Sequence, residues 1–374
     1  MSEDWVETTL GEVLTLEYGK ALPEKNRDGP GYPVLGSNGL VGLHSKALVE
    51  GPGIVVGRKG TAGSVTWVDT SFSPIDTTYW VRLRDAGLTL EFAYLLLLAA
   101  NLPGVCAQTG VPGLNRDRAY EVPISLPPLP VQRRIVDLMA HLDNHLANLQ
   151  VEEEALTKVR SAALHDAMSG GLAQFPQNDE WEDLTLGESA DFINGFAFKP
   201  THLEGTALPV IRIRQLLDPS AEVDYTDIEV PQRNLIRDGD LIFSWSGTLA
   251  SRFWRRGPAA LNQHLFKVLA RTGSDLGWLH LALDHSVNEL MMKTHGTTMK
   301  HVTKKTLESH NVRRPPLAVQ RRVVDLMANL DNHLANLRAE REAAEQTRLA
   351  MVVLLLSGAR VVPHSYDSLL SEVA

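Results

Sequence analysis

Apolar residues recur along two long stretches of the chain at alternating intervals of three and four. In the first they fall at Val131, Ile135, Leu138, Leu142, Leu149, Leu156, Val159 and Ala163; in the second at Val319, Val323, Leu326, Leu330, Leu337, Ala344 and Met351. Such spacing makes a narrow stripe that a lone helix leaves exposed and a partner helix covers. Two long helices that pair with each other are therefore expected. His145 and His333 take one intervening seam position each, and Glu152 and Glu340 the next. Polar groups there set register and orientation at some cost in stability, so both histidines read as seam residues and no metal site is expected. Pro127-Pro128 and Pro315-Pro316 end the segments before the helices, and the Gly-containing stretches after Ser169 and Ser357 supply matching stops. Each helix is then about 40 residues long and spans on the order of 60 Å.

Outside these stretches the apolar runs are short and separated by Gly-rich turns. They predict strands over 33–35, 54–56, 64–68, 80–83, 210–213, 241–244 and 266–269, with helices near 90–100 and 276–292. The fold class expected is α+β: two similar β-rich α/β domains separated by two long antiparallel coiled-coil helices, with pseudo-two-fold symmetry. The boundaries are 1–128 for the first domain, 129–174 for the central helix and linker, 175–316 for the second domain, and 317–374 for the last helix and a short tail.

The pattern repeats because the sequence does. PPLPVQRRIVDLMAHLDNHLANLQ from Pro127 returns as PPLAVQRRVVDLMANLDNHLANLR from Pro315, and WVETTLGEV from Trp5 returns as WEDLTLGES from Trp181. Fainter echoes join the remaining parts. IVVGRKGTAGSVTWV from Ile54 matches LIFSWSGTLASRFWR from Leu241, and SPIDTTYWVRL matches AALNQHLFKVL with Asp76 against Asn262. The two domains read as one fold with diverged surfaces. Two units of this size are not a solenoid array; a spacer of constant length between them suits recognition of two different sites at a set separation.

Composition narrows the function. The formal net charge of −9 argues against a generic nucleic-acid binder. Residues 1–128 carry 10 basic and 14 acidic side chains and residues 175–316 carry 16 and 18, so neither domain is basic as a whole and only local clusters can meet DNA. One cysteine, Cys106, excludes an internal disulfide framework and fits a reducing compartment. The first residues lack an apolar signal core, and YLLLLAA and MVVLLL are too short to cross a bilayer. A soluble, cytoplasmic protein with no membrane association is expected. No cofactor is expected either: GRKGTAGS from Gly57 fails the phosphate-loop spacing, and there is no G-x-G-x-x-G, no G-x-S-x-G and no Asn/Asp-Pro-Pro-aromatic tetrapeptide. The chain alone reads as non-catalytic.

The layout resembles the specificity subunits of Type I restriction-modification systems. The likeness is carried by Pro-Pro-Leu-x-x-Gln at the start of each long helix (Pro127, Pro128, Leu129, Gln132; Pro315, Pro316, Leu317, Gln320). It is also carried by Trp-x-x-x-x-Leu-Gly-Glu at the start of each unit (Trp5, Leu10, Gly11, Glu12; Trp181, Leu186, Gly187, Glu188), and by GVPGLN and GTTMKHVTKK near each domain's end. The resemblance implies that each globular part is a target recognition domain for one half of a bipartite, asymmetric DNA sequence. It further implies that the helices dock two methyltransferase subunits, that restriction/translocase subunits join them, and that adenine methylation and cleavage belong to those partners.

Lys and Arg interleaved with hydroxyl and amide side chains suit phosphates and base edges. The DNA-binding candidates in the first domain are Arg58, Lys59, Thr61, Gln108, Asn115, Arg116 and Arg118. In the second they are Ser244, Trp245, Thr248, Arg252, Thr297, Thr298, Lys300, His301, Lys304 and Lys305. Gln132, Arg133, Arg134 and their repeats Gln320, Arg321, Arg322 lie in the near-identical part, so they are assigned to partner docking: the same partner needs the same surface twice. Two alternatives stay open. One is a specificity protein of a modification-only or orphan defence system. The other is a coiled-coil scaffold whose globular ends bind proteins, which predicts no sequence-selective DNA affinity.

Overall fold

The computed structural model describes residues 5–106, 113–172, 180–292, 302–363 and 366. The chain divides into two units that do not follow its linear order: residues 1–150 with 339–374, and residues 151–338.

In the first unit the order is β1 (Val6–Thr9), α1 (Leu10–Val13), β2 (Leu14–Tyr18), β3 (Tyr32–Gly36), β4 (Gly39–His44), β5 (Gly53–Gly57), β6 (Val65–Val68), β7 (Ser73–Pro74), β8 (Thr78–Leu83), α2 (Leu90–Ala99), α3 (Arg116–Tyr120), β9 (Pro123–Leu126) and the start of α4 (Leu129–Ser169). A four-stranded sheet of order β2-β8-β5-β6 is accompanied by β4-β3-β7 and by the ribbon β1-β9. Every residue of β5 is buried, as its unbroken apolar run requires of a central strand. Helix α2 is apolar on most sides and packs Phe92, Ala93, Leu95, Leu96 and Leu97 into the main core, with the Thr89 hydroxyl accepting from the Phe92 N–H at 3.2 Å as its N-cap. Ile135 and Met139 of α4, and Val352, Leu355 and Leu356 from the far end of the chain, complete that core.

The second unit repeats this plan with β10 (Glu182–Thr185), α5 (Leu186–Ser189), β11 (Ala190–Asn194), β12 (Leu208–Ile211), α6 (Ile213–Leu217), β13 (Asp224–Thr226), β14 (Leu235–Ile236), β15 (Leu241–Ser244), β16 (Ala250–Phe253), β17 (Ala259–Leu261), β18 (Leu265–Ala270), α7 (Leu276–Met292), α8 (Lys304–Glu308), β19 (Asn311–Arg314) and α9 (Leu317–Leu356). Its sheets run β11-β18-β15-β16, β13-β12-β17-β14 and β10-β19. Tyr18 faces Tyr79 across β2 and β8 as Asn194 faces Phe266 across β11 and β18, and Val56 meets Tyr79 as Phe243 meets Phe266. These registers align Gly57 with Ser244 and Ile75 with Asn262. The sequence match of Asp76 to Asn262 is therefore one residue out. The α6 turn also begins where strand was expected to run on to 213.

The repeated motifs are joints. In each unit the first strand pairs with the strand just before the Pro-Pro, and the Leu of Leu-Gly-Glu is buried while its N–H donates back (Leu10 to Val122, Leu186 to His310). Glycine is needed next to it: a Cβ on Gly11 would lie 2.6 Å from Tyr120 Cβ, and one on Gly187 3.0 Å from Glu308 Cβ.

The stretches of α4 up to 150 and of α9 from 339 belong to the first unit, and the remainder to the second. In the second unit Arg338 binds Glu153 and Arg160 binds Asp331, so α4 ascends as α9 descends and the pairing is antiparallel. In the first unit Arg348 binds Asp143. Because 188 residues separate the repeats, this is the Arg160–Asp331 pair with the two helices exchanged. The seam departs from expectation between its leucines. Leu146, Glu153 and Arg160 turn inward, whereas Val159 is 54% exposed. His145 and Glu340 are outward-facing and 3.7 Å apart, and Leu334 is buried where His333 was placed. A four-residue step from Leu142 puts an apolar side chain inside, and burial of leucine outweighs burial of imidazole. His141 also lies one turn before His145, a spacing that can serve metals. Its Nδ1, however, sits 2.7 Å from the Asp137 carbonyl, and no group of three or more such ligands gathers among the described residues. Among the described residues no helix is long and apolar enough to cross a membrane.

Candidate nucleic-acid interface

In the first unit the turn after β5 and the start of α3 come together. The Leu114 N–H donates to the Arg58 carbonyl at 2.9 Å, and Lys59 bridges to Gly113. Gly60, at φ 77°, makes this turn in the left-handed region open to glycine. Asn115 caps α3, its Oδ1 accepting from the N–H groups of Asp117 (2.9 Å) and Arg118 (3.1 Å). The result is a shallow cavity lined by Tyr18, Arg58, Lys59, Tyr79, Asn115 and Arg116. The Arg58 and Arg116 guanidiniums lie 4.9 and 5.2 Å from the centre of one ring, that of Tyr18. Cation–π contacts at such exposed sites contribute about 0.5–1 kcal/mol each. Arg58 donates to the Asp76 carbonyl at 2.8 Å, and the buried Nε of Arg116 has no hydrogen-bond acceptor among the described residues. Tyr79 donates to the Leu114 carbonyl at 3.3 Å, and burial, with Tyr18 beside it, pushes its hydroxyl up to about 12. Lys59, Thr61 and Arg118 are exposed around this centre.

The equivalent place in the second unit has the same backbone and other side chains. The Val302 N–H donates to the Trp245 carbonyl at 3.0 Å, Gly247 turns at φ 66°, and the Thr303 hydroxyl caps α8. Trp245 stands where Arg58 does. Its ring stacks on Phe266 at 5.8 Å and tilts against His264 at 5.6 Å, and its Nε1 donates to the Gln263 carbonyl at 3.2 Å. Lys304, in the place of Arg116, lies 3.6 Å from Glu308. Thr248 and Lys305 are exposed. Arg252 projects from β16 and donates to the Ser251 carbonyl at 2.7 Å. Gln108, Thr297, Thr298, Lys300 and His301 lie outside the described residues.

Four of the expected site residues are enclosed instead. Ser244 is fully buried at the end of β15 and donates to the Ser246 carbonyl at 3.3 Å, because it occupies the last inward position of a central strand. Gln132 and Gln320 are fully buried and do not face a partner. Gln132 donates to the carbonyls of Gly87 (2.6 Å) and Pro127 (2.8 Å) and accepts from the Thr89 N–H (3.1 Å). Gln320 donates to Gly273 (2.8 Å) and Pro315 (2.7 Å) and accepts from the Asp275 N–H (2.7 Å). An amide suits this place because it offers two donors and an acceptor to backbone that helix and sheet leave unsatisfied. Arg134 is also enclosed, at 3% exposure, whereas Arg133, Arg321 and Arg322 are on the surface.

A buried polar group in the second unit was not anticipated. Ser251 Oγ lies 2.6 Å from His280 Nδ1 and donates to Asp284 Oδ1 at 2.9 Å. The residue types are those of a hydrolase triad, yet here serine stands between histidine and carboxylate, so no base is placed to be oriented by the acid. Ser251 is also fully buried. Burial holds His280 below the ordinary histidine range, against the opposing pull of Asp284. In the first unit Tyr94 fills the place of His280, edge-on to Trp67 at 5.8 Å, as His280 is to Phe253 at 5.3 Å.

The family model described as Type I restriction modification DNA specificity domain matches the chain twice, over residues 2–158 and 178–346. The EcoBI specificity subunit of Escherichia coli is 26% identical over 203 residues, which cover 52% of this chain and 42% of that protein. The chain thus matches less than half the length of that relative. The MjaVIII specificity subunit of Methanocaldococcus jannaschii is 21% identical over 399 residues, covering 95% of this chain and 93% of that one. Among solved structures, the Type I restriction-modification S subunit of M. genitalium shares the fold with a TM-score of 0.59 at 18% identity, covering 95% of this chain and 97% of that one. A structure from work on complex assembly and conformational transition of the type I R-M system does so with a TM-score of 0.66 at 17% identity, covering 95% and 98%.

Proposed function

Because the chain belongs to the family of Type I restriction-modification DNA specificity proteins, we propose that each unit reads one half of a bipartite, asymmetric DNA target. The recognition parts are residues 1–128 and 175–316. The chain chooses the address in the cytoplasm; adenine methylation belongs to two docked methyltransferase subunits, and cleavage to restriction/translocase subunits that join them. Arg133, Arg321 and Arg322, exposed in the near-identical helix starts, are the groups offered to those partners.

The observation that carries this reading is one backbone arrangement built twice with different polar surfaces. Turn and short helix meet through the same hydrogen bond in both units, yet Tyr18, Arg58 and Arg116 are replaced by Asn194, Trp245 and Lys304. A shared scaffold with diverged readers suits two unlike half-sites, since base edges distinguish sequence and phosphates only position the protein. Mapping modified adenines across the genome with and without the gene tests it. A gapped, non-palindromic motif should vanish on deletion. An unchanged methylation pattern together with no DNA affinity would favour the protein-binding scaffold instead, and adjacent methyltransferase genes without a translocase would favour a modification-only system.

A further inference from the structure

Arg58, Lys59 and Arg116 converge on one small cavity, and among the described residues none of them forms an ion pair. Among the described residues their one side-chain hydrogen bond is that of Arg58 to the Asp76 carbonyl, which leaves most of both guanidinium forks without an acceptor. Two of the three cations share the Tyr18 ring, whose other neighbour, Tyr79, keeps its proton because burial raises its hydroxyl. Like charges held together in this way repel one another, and an anion placed between them removes the repulsion. A planar guanidinium offers paired donors that match two oxygens of one phosphate. Among the described residues the second unit does not repeat the device: Trp245 is neutral and bonded to Gln263, and Lys304 is engaged with Glu308.

We infer that the Tyr18–Arg58–Arg116 cluster, with Lys59 at its edge, is a seat for a backbone phosphate of the DNA, and that Trp245 and Lys304 at the equivalent positions of the second unit do not form a matching one. The inference rests on the reading that both units bind DNA. The stacked aromatic ring holds the two forks at a constant spacing, so this seat sets register without reading bases. The equivalent aromatic surface of Trp245 and His264, backed by the buried Phe266, offers contact to a sugar or base and little counterion release. Binding by the two units therefore responds unequally to salt.

The test uses the full chain assembled with its methyltransferase subunits and a duplex carrying the sequence it methylates, with affinity followed against salt concentration. Each lost phosphate contact lowers the slope of log K against log salt by about 0.9. Arg116→Gln and Arg58→Gln should each reduce the slope by about one, weaken binding to unrelated duplexes by the same factor, and leave the methylated sequence unchanged. Arg116→Lys should retain the slope. Replacing single phosphates by uncharged methylphosphonates should expose one position where the wild-type complex loses affinity and the Arg116→Gln complex does not. A slope unchanged in both glutamine variants overturns the inference. So does a relaxed half-site sequence at constant slope, which would make the cluster a base reader. Failure of the wild-type complex to bind the duplex at all would instead overturn the reading on which the inference rests.

Discussion

In the first unit two arginines crowd one tyrosine, whereas in the second a tryptophan rests on a phenylalanine and the nearby lysine is tied to a glutamate. At the start of each long helix, and at one ion pair between the helices, the two units repeat the same bonds. Gln132 and Gln320 each make the same three buried contacts, and the Asp143–Arg348 pair recurs as Asp331–Arg160. The difference teaches where each constraint acts. A joint between a globular part and a helix tolerates little change because its buried donors and acceptors must all be satisfied. A surface that meets a ligand changes freely, provided the turn and short helix beneath it keep their place. The joint is thus the shared part of the molecule and the reader is the individual part.

That division can be broken at the joints first. Gln132→Ala leaves the Gly87 and Pro127 carbonyls and the Thr89 N–H without partners, and should cost about 3 kcal/mol in urea unfolding. Gln320→Ala should cost nearly the same, and a large inequality would show that the two joints are not equivalent. Gly11→Ala comes next. Its methyl would press on Tyr120 at 2.6 Å and destabilise the first unit by about 2 kcal/mol, while Gly187→Ala, with 3.0 Å to Glu308, should cost less. Equal losses would argue that the looser contact is no looser.

The smallest effect separates His280 from its counterpart Tyr94. Burial lowers the His280 pKa in the folded chain, so between the folded and ordinary values the unfolded chain binds the extra proton. The associated stability is fully present above the ordinary histidine range and is lost as pH falls through it. Urea midpoints measured at about pH 7.5 and about pH 5.5 should therefore differ less in His280→Gln than in the wild type. No change in that difference would show that Asp284 offsets burial.

Periodicity and duplication made much of the fold legible from residues alone: both long helices, their stops, α2, α7 and the expected strands, apart from the end of the one at 210–213, lie where expected. The shorter strands such as β1, β9, β10 and β19 carried no such signal. The seam was misplaced at His145 because heptad counting alone does not weigh a leucine at the next position. The slip of Asp76 against Asn262 arose in a loop of different length, and in strands one residue exchanges the two faces. The reader was half legible. Arg58, Lys59, Asn115 and Arg116 stood out by composition, and the structure gathers them in one cavity. Tyr18 and Tyr79 were missed because only the β2-β8-β5 order brings them beside Arg58, and no local spacing encodes a non-local strand pairing. Gln132 and Ser244 were misread because polarity alone does not tell a buried bond from an exposed one.

The most direct measurement of the central claim exchanges residues 1–128 for the corresponding part of a family member with a different target, then maps methylated adenines in cells carrying the hybrid. Two independent readers on a shared scaffold predict a new gapped motif in which one half is replaced and the other half and the gap length are kept. A motif altered in both halves, or a hybrid that still methylates the original sequence, would contradict it.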